Sequence, residues 1–269
     1  MNVRQLLELF VNEDLAQGDP TGRLLSDRTV TGHIIARQKG VVSGAAHVRT
    51  IFGMKGCVCQ IHVSDGQTVQ ADQDIMTVSG RAADVMALER TALNLLSRMS
   101  GIATAAAAMV ALLPDGVKLL ATRKTAPGLR IFDKEAVQAG GGHPHRFNLG
   151  EMIMIKDNHI AAEGSIQSLI RRAAARNETF EVEVDTIPDA IMAARRGAPI
   201  ILLDNFDAAD IRKVVSRLIR ENLRDHIKLE ASGGITEQNI AKYGATGVDY
   251  ISAGAMTASP SCLDVSLEI

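Results

Sequence analysis

Residues 121–159 concentrate positive charge. Arg123, Lys124, Arg130, Lys134, Arg146 and Lys156 fall there with His143, His145 and His159, against Asp133, Glu135, Glu151 and Asp157. Arginine offers a planar fork and lysine a point charge, so both suit carboxylates or phosphates. A Gly140-Gly141-Gly142 turn runs into His143-Pro144-His145-Arg146, and glycine lets a backbone bend sharply and approach a ligand. The bland counterpart is a solvated basic loop. Downstream stand two acids, Glu183 and Asp204. They would hold Mg²⁺ through water or accept hydrogen bonds from sugar hydroxyls. Asp207 and Asp210 are better placed than Asp204 to cap the next helix. Ser232-Gly233-Gly234 and Gly254 come last. Such turns are simple reversals or phosphate cradles built from backbone N–H groups. Cations, then acids, then a cradle describe a polyanionic acceptor, a magnesium-linked ribose and a terminal phosphate. Phosphoribosyl transfer fits that order.

The histidines could suggest a metal instead, but H-x-H followed by His159 is not a firm zinc spacing, and the cysteines are remote. Lys156 could suggest a Schiff-base aldolase. Borohydride trapping with a carbonyl substrate would reveal one.

These residues need elements to hold them. From 117 onward, short apolar runs alternate with helical patterns. The runs are 117–121, 152–155, 180–184, 199–203, 227–231 and 249–253. Helices are expected from Ser165, from Pro188, over Ile211, Val214, Val215 and Leu218, and near Thr236. Regular βα alternation implies parallel strands with right-handed crossovers. A complete eight-fold barrel uses about 250 residues, so a short, open (incomplete) parallel α/β barrel is expected, with an open doubly wound sheet as runner-up. No G-x-G-x-x-G follows a strand, which weakens a dinucleotide reading. Active sites of parallel α/β folds lie at the carboxyl ends of the strands, where Arg123-Lys124, Lys156 to His159, Glu183 with Asp185, Asp204-Asn205, Ser232-Gly233-Gly234 and Gly254 fall.

Residues 1–83 have another texture. Leu6, Leu7, Leu9 and Phe10 form a helical stripe, and strands are expected at 30–36, 57–63 and 74–79. Residues 63–80 resemble a lipoyl or biotinyl carrier but lack the lysine a hairpin tip needs, which leaves a β-rich structural module. A long helical pattern covers 84–113. Arg90, Asn94, Ser97 and Gly101 share one face of it, and Ser100-Gly101 is a candidate kink or break.

The chain has 269 residues, is 46% hydrophobic and 22% charged, and carries a net charge of −2, which excludes a disordered chain. Balanced charge, 3% aromatics and no Trp argue against nucleic acid or an anionic membrane as partner. Cys57, Cys59 and Cys262 do not make a disulfide framework. The N-terminus reads as no signal peptide. The longest apolar run, 101–113, is short for a membrane span of about 20 residues. A cytoplasmic protein is expected.

The motifs ERTALNLLSRMSGIAT (89–104), TRKTAPGLR (122–130), GGGHPHRFNL (140–149), IKDNHI (155–160), EVEV (181–184), LLDN (202–205), LEASGGI (229–235) and ISAGAMT (251–257) resemble, in this order, those of the quinolinate phosphoribosyltransferases. The resemblance runs from Glu13-Asp14 to Leu263-Asp264. It implies an α/β protein with an N-terminal α/β sandwich domain over 1–105, rejoined by 256–269, and an open α/β barrel over 106–255. It implies a homodimer or dimer-based hexamer, with Arg90 reaching into the neighbour's site. Arg123, Lys124, His145, Arg146 and Lys156 match the lining for the two quinolinate carboxylates. Glu183 and Asp204 match the ribose and magnesium acids. Ser232, Gly233, Gly234 and Gly254 match the phosphate loops. Lys124, Glu183 and Asp204 are the expected catalytic residues, and Mg²⁺ the expected cofactor. Two positions depart from the pattern: Pro144 replaces Asn in many relatives, and Ala258 replaces His. A related branch linked to molybdate-transport operons also carries Pro-His-Arg but lacks the Lys-Asp-Asn-His element, intact here at 156–159.

Overall fold

A computed structural model describes residues 2–269. In chain order its elements are α1 (Val3–Leu15), β1 (Thr29–Ala36), β2 (Gly40–Val41), α2 (Ala45–Gly53), β3 (Val58–Ile61), β4 (Thr68–Val69), β5 (Asp74–Arg81) and α3 (Ala82–Val110). Then come β6 (Lys118–Ala121), α4 (Arg130–Ala139), β7 (Ile153–Ile155), α5 (Asp157–Glu163), α6 (Ile166–Ala174), β8 (Phe180–Val184), α7 (Ile187–Arg195) and β9 (Ile200–Asp204). The last are α8 (Ala208–Arg220), β10 (Lys228–Ser232), α9 (Ile240–Gly244), β11 (Tyr250–Ala253), α10 (Ala255–Ala258) and β12 (Val265–Glu268). They form two units: residues 1–107, 125–141 and 256–269, and residues 108–124 and 142–255.

The first unit is built on an antiparallel sheet in the order β12-β1-β5-β3. β12 pairs with β1 from His33↔Glu268 to Ala36↔Val265, so the end of the chain returns to this sheet. In α1 the buried positions are Leu7 and Val11, one turn apart, while Leu9 is 52% exposed; the apolar stripe is narrower than Leu6–Phe10 suggests. α3 is a single helix over 82–110, so its apolar length exceeds the 101–113 run. By length and composition it would qualify as a membrane span, yet 56% of its most apolar window is buried in the protein, as in a core helix. Ser100 and Gly101 do not break it. Ser100 Oγ accepts the Ser43 amide at 3.0 Å, and a Cβ at Gly101 would lie 2.9 Å from Cys262 Cα. Small residues here let neighbouring backbone approach.

Although α4 falls between two barrel strands, it packs in the first unit. Asp133, fully buried, accepts Arg98 Nε at 2.8 Å and Nη2 at 2.9 Å. His47 Nε2 meets Glu135 Oε2 at 2.6 Å, and the Phe10 and Phe132 rings lie 5.6 Å apart. These are shared, part-buried polar contacts that bind a segment more firmly than exposed pairs do.

The second unit holds six strands in the order β6-β11-β10-β9-β8-β7, all paired in parallel. β6 and β7 stand at opposite ends of this order, so the barrel is open. On the outer side of β6, His143 makes an isolated bridge with Leu120. Local sequence explains the helices between strands. Ser165 accepts from Ser168 N at 3.2 Å ahead of α6. Thr186 accepts from Asp189 N at 3.2 Å, with Pro188 in the first turn of α7. Asp207 accepts the amides of Ala209 and Asp210, each at 2.8 Å, so it caps α8 and leaves Asp204 at the strand end. The helix expected near Thr236 is a turn, and α9 begins only at Ile240. Asn239 causes this: its Oδ1 accepts the Thr236 amide at 2.8 Å, and its Nδ2 donates to Gly234 O at 3.0 Å.

Candidate active site

Side chains alternate across a strand, so residues two apart share a face. At the barrel's carboxyl end that face carries Thr122, Lys156, Glu183, Asp204, Ser232 and Ser252, which line one cavity of about 380 Å³. Arg123, Lys124, His145 and Arg146 line it too. Eight of the residues expected from sequence therefore meet in one place. Gly254 adjoins it, since a Cβ there would lie 3.0 Å from Lys124 Cδ. Gly233 and Gly234 turn the chain after β10 at φ +96° and +59°, and Gly233 lies against Asn205, beside Asp204. The amides near this turn belong to a bend, not to the helix N-terminus expected at Thr236. Arg90 lies on α3 in the first unit, its side chain 68% exposed.

The cavity is cationic on one side. Arg146 donates through Nη1 to Met152 O at 3.2 Å and through Nη2 to Met154 Sδ at 3.0 Å. Burial and the neighbouring Arg123 push its pKa down. Arg123 Nε is buried with no hydrogen-bond partner among the described residues. Two crowded guanidiniums, one with an unmet donor, suit a dianion. Lys156 reaches across and donates to Glu183.

The other side is acidic. Glu183 and Asp204 also line an adjoining cleft with Asp157, Asp185 and Asp189. Asn205 Nδ2 donates to Asp204 Oδ2 at 2.7 Å. These are hard oxygen donors at a solvent-facing rim. Mg²⁺ keeps several waters and takes only one or two carboxylates beside substrate phosphates, so the donor set fits that ion.

Two residues that sequence reasoning passed over lie one layer deeper. Glu181 and Glu230 are 0% and 1% exposed. Both face His145 Nε2, at 3.4 and 3.5 Å. Neither contact has hydrogen-bond geometry, and Glu181 Oε1 and Oε2 and Glu230 Oε2 are left without hydrogen-bond partners among the described residues. Strand alternation carried the signal: Glu181 is two before Glu183, and Glu230 two before Ser232. Burial opposes charge on the His145 ring, but Glu181 and Glu230 outweigh it and push its pKa up to about 9. The Arg146 amide, 2.7 Å from Nδ1, opposes a second ring proton, and two carboxylates outweigh one amide. Burial and the charge of Glu230 push Glu181 up to about 7, against the pull of His145. The other two histidines of the basic segment do not join this cluster. His143 lies at the β6 bridge, and His159 Nδ1 accepts the Lys156 amide at 3.0 Å.

Known proteins share this architecture. The profile described as quinolinate phosphoribosyl transferase, C-terminal domain, matches residues 102–268, and the corresponding N-terminal domain profile matches 19–100. A probable nicotinate-nucleotide pyrophosphorylase [carboxylating] of Methanothermobacter thermautotrophicus is 41% identical, covering 98% of each chain. The nicotinate-nucleotide pyrophosphorylase [carboxylating] of Mycobacterium leprae is 40% identical, covering 99% of this chain and 96% of its own. The crystal structure of nicotinate-nucleotide pyrophosphorylase from Ehrlichia chaffeensis superposes with a TM-score of 0.94 at 33% identity, over 100% of this chain and 98% of that one. With both domain profiles matched along nearly its whole length, the chain belongs to the quinolinate phosphoribosyltransferase family.

Proposed function

We propose that this chain transfers the phosphoribosyl group of 5-phosphoribosyl 1-diphosphate to quinolinate, with decarboxylation, giving nicotinate mononucleotide, diphosphate and CO₂. The observation that carries the reading is one cavity with guanidinium and ammonium groups on one side and Glu183 and Asp204 on the other, in a chain of this family. Arg123, Lys124, His145, Arg146 and Lys156 would receive the two ring carboxylates. The ring nitrogen attacks C1 of the ribose as the bond to diphosphate breaks. Positive charge develops on the sugar, where Glu183 and Asp204 stabilise it. Glu183 and Asp204 would hold Mg²⁺, which would supply charge neutralisation for the leaving diphosphate. Loss of CO₂ then leaves its electron pair at ring C2, beside the cationic nitrogen, and a proton replaces it. Lys124, at the cavity wall, is the first candidate to assist. No covalent nucleophile is required, and positioning of two charged ligands supplies much of the rate. The turns at Ser232, Gly233, Gly234 and Gly254 would take the donor's phosphate.

The proposal extends to the assembly. Arg90 is 68% exposed, with a loose ion pair to Glu89 at 3.7 Å among the described residues, which suits it to enter the site of a second subunit in a homodimer or a dimer-based hexamer.

Purified protein incubated with quinolinate, 5-phosphoribosyl 1-diphosphate and Mg²⁺ is expected to form nicotinate mononucleotide, read by chromatography. A parallel reaction with nicotinate is expected to form none. Product from nicotinate alone, or from neither acceptor, would refute the assignment.

A further inference from the structure

Barrel interiors are normally filled with layers of Val, Ile and Leu. Here the layer beneath the cavity contains Glu181 and Glu230 instead, both sealed from solvent. Buried carboxylates short of hydrogen-bond partners are costly, so their retention calls for a role. The group they face is the His145 ring. His145 stands at φ +49°, a left-handed conformation uncommon outside glycine. It lies between α4 and β7, in a segment without a regular element, and the next residue is Arg146. The Arg146 amide is itself turned onto His145 Nδ1. The side-chain tie from this segment to β8 and β10 therefore fixes the backbone from which Arg146 enters the cavity.

We infer that Glu181 and Glu230 are positioning residues for the dicarboxylate acceptor: they hold the His145 ring between them and thereby set the place of the His145–Arg146 pair at the floor of the cavity. The inference rests on the proposed reaction and assigns part of the acceptor's affinity to two buried side chains that act through His145, Glu230 from the cavity wall and Glu181 from behind it. Both face the His145 ring, so the effect is expected on the acceptor side, which His145 and Arg146 line.

The test compares wild type with Glu181→Gln, Glu230→Gln and the double Glu181→Leu/Glu230→Leu variant. Steady-state kinetics is run with each substrate varied, and quinolinate binding is followed by calorimetry. The amide variants keep the shape and remove the charge. They are expected to raise the quinolinate KM and Kd about tenfold, with the donor KM within about twofold, as loss of one anchor on a charged pair predicts. The double leucine variant is expected to keep or raise the melting temperature, since apolar replacement of a buried ionic cluster is often neutral or stabilising, and yet to lose acceptor affinity by a similar factor. A purely structural role would do the reverse, lowering the melting temperature and shifting both substrates together. Unchanged quinolinate affinity in both amide variants would overturn the inference. So would an equivalent of metal ion in the purified protein that disappears in the double variant, because His145, Glu181 and Glu230 have ligand atoms within 4.8 Å of one another. An inactive wild type would refute the proposed reaction instead. The kinetic comparison separates the two.

Discussion

Gly233 and Gly234 are neighbours, both with positive φ, yet alanine at each should behave differently. At Gly234 (φ +59°) a Cβ meets nothing within 4 Å. The cost is the left-handed conformation alone, about 1 kcal/mol. At Gly233 (φ +96°) a Cβ would lie 2.7 Å from the backbone N of Asn205, where 3.4 Å is an ordinary contact. Relief needs about 0.7 Å of backbone movement, and overpacking of this kind adds about 2 kcal/mol to the conformational cost. The displaced backbone is held by the Asn205 amide donating to Ser232 O at 2.9 Å, and it carries Asp204. Gly234→Ala should lower the barrel's melting temperature by about 2–4 °C and Gly233→Ala by about 6–12 °C. A misplacement approaching 1 Å costs on the order of 10²-fold in rate. The donor kcat/KM should therefore fall on that scale for Gly233→Ala, and less than about fivefold for Gly234→Ala, the equivalent of about 1 kcal/mol. Thermal melts and donor-varied kinetics on both variants decide it. Equal losses at the two positions would show that the close approach to Asn205 does not matter.

Lys124→Ala should raise the quinolinate KM at least about tenfold with little change for the donor, as expected for one lost charge-assisted contact; unchanged quinolinate affinity would contradict its place in the acceptor pocket. Mixing Arg90→Ala with Lys124→Ala subunits should restore part of the activity through hybrids holding one intact site, and no recovery in verified hybrids would argue against a shared site. Asp133→Asn leaves the Arg98 guanidinium without its bidentate partner and should cost about 3 kcal/mol, read from chemical denaturation; an unmoved midpoint would place that pair among the energetically silent ones. His145, raised to about 9, contributes stability that is fully present below its unfolded value near 6.5 and is lost as pH rises through about 9. Glu181, raised to about 7, likewise costs stability as it ionises, so stability is lost as pH rises from about 4.5 to 7. Both shifts act in the same direction with pH, so the melting temperature should fall across both windows. The double Glu181→Leu/Glu230→Leu variant should flatten both, and an unaltered pH profile in that variant would count against the cluster.

Much of the site was legible before any fold was known, because its chemistry is local. Each barrel strand is a short, largely apolar run, and polar residues or glycines stand at or just beside its carboxyl end. Reading those ends in order put Lys156, Glu183, Asp204 and Ser232 together, and they line one cavity, since a parallel sheet puts all its carboxyl ends on one rim. The helix starts at Ser165, Pro188 and Asp207 were equally local. Other features depend on partners distant in sequence. Ser100-Gly101 carries the composition of a kink, but only the return of residues 261–262 shows that it serves a close approach. The Thr236 helix failed because one side chain, Asn239, closes a turn that helix propensity does not register. α4 sits between barrel strands in the chain and belongs to the other unit, because Asp133 and Glu135 find Arg98 and His47 there. The buried acids were hardest to see. The alternation that put Glu183 at the rim also put Glu181 inside, but a carboxylate's meaning in a barrel depends on what it faces. Three segments separated by 36 and 49 residues, at His145, Glu181 and Glu230, converge only once the sheet has curled. Sequence determined which chemistry was present and on which rim it would lie; the tertiary structure decided which charges share a low-dielectric interior, where their interaction is strongest.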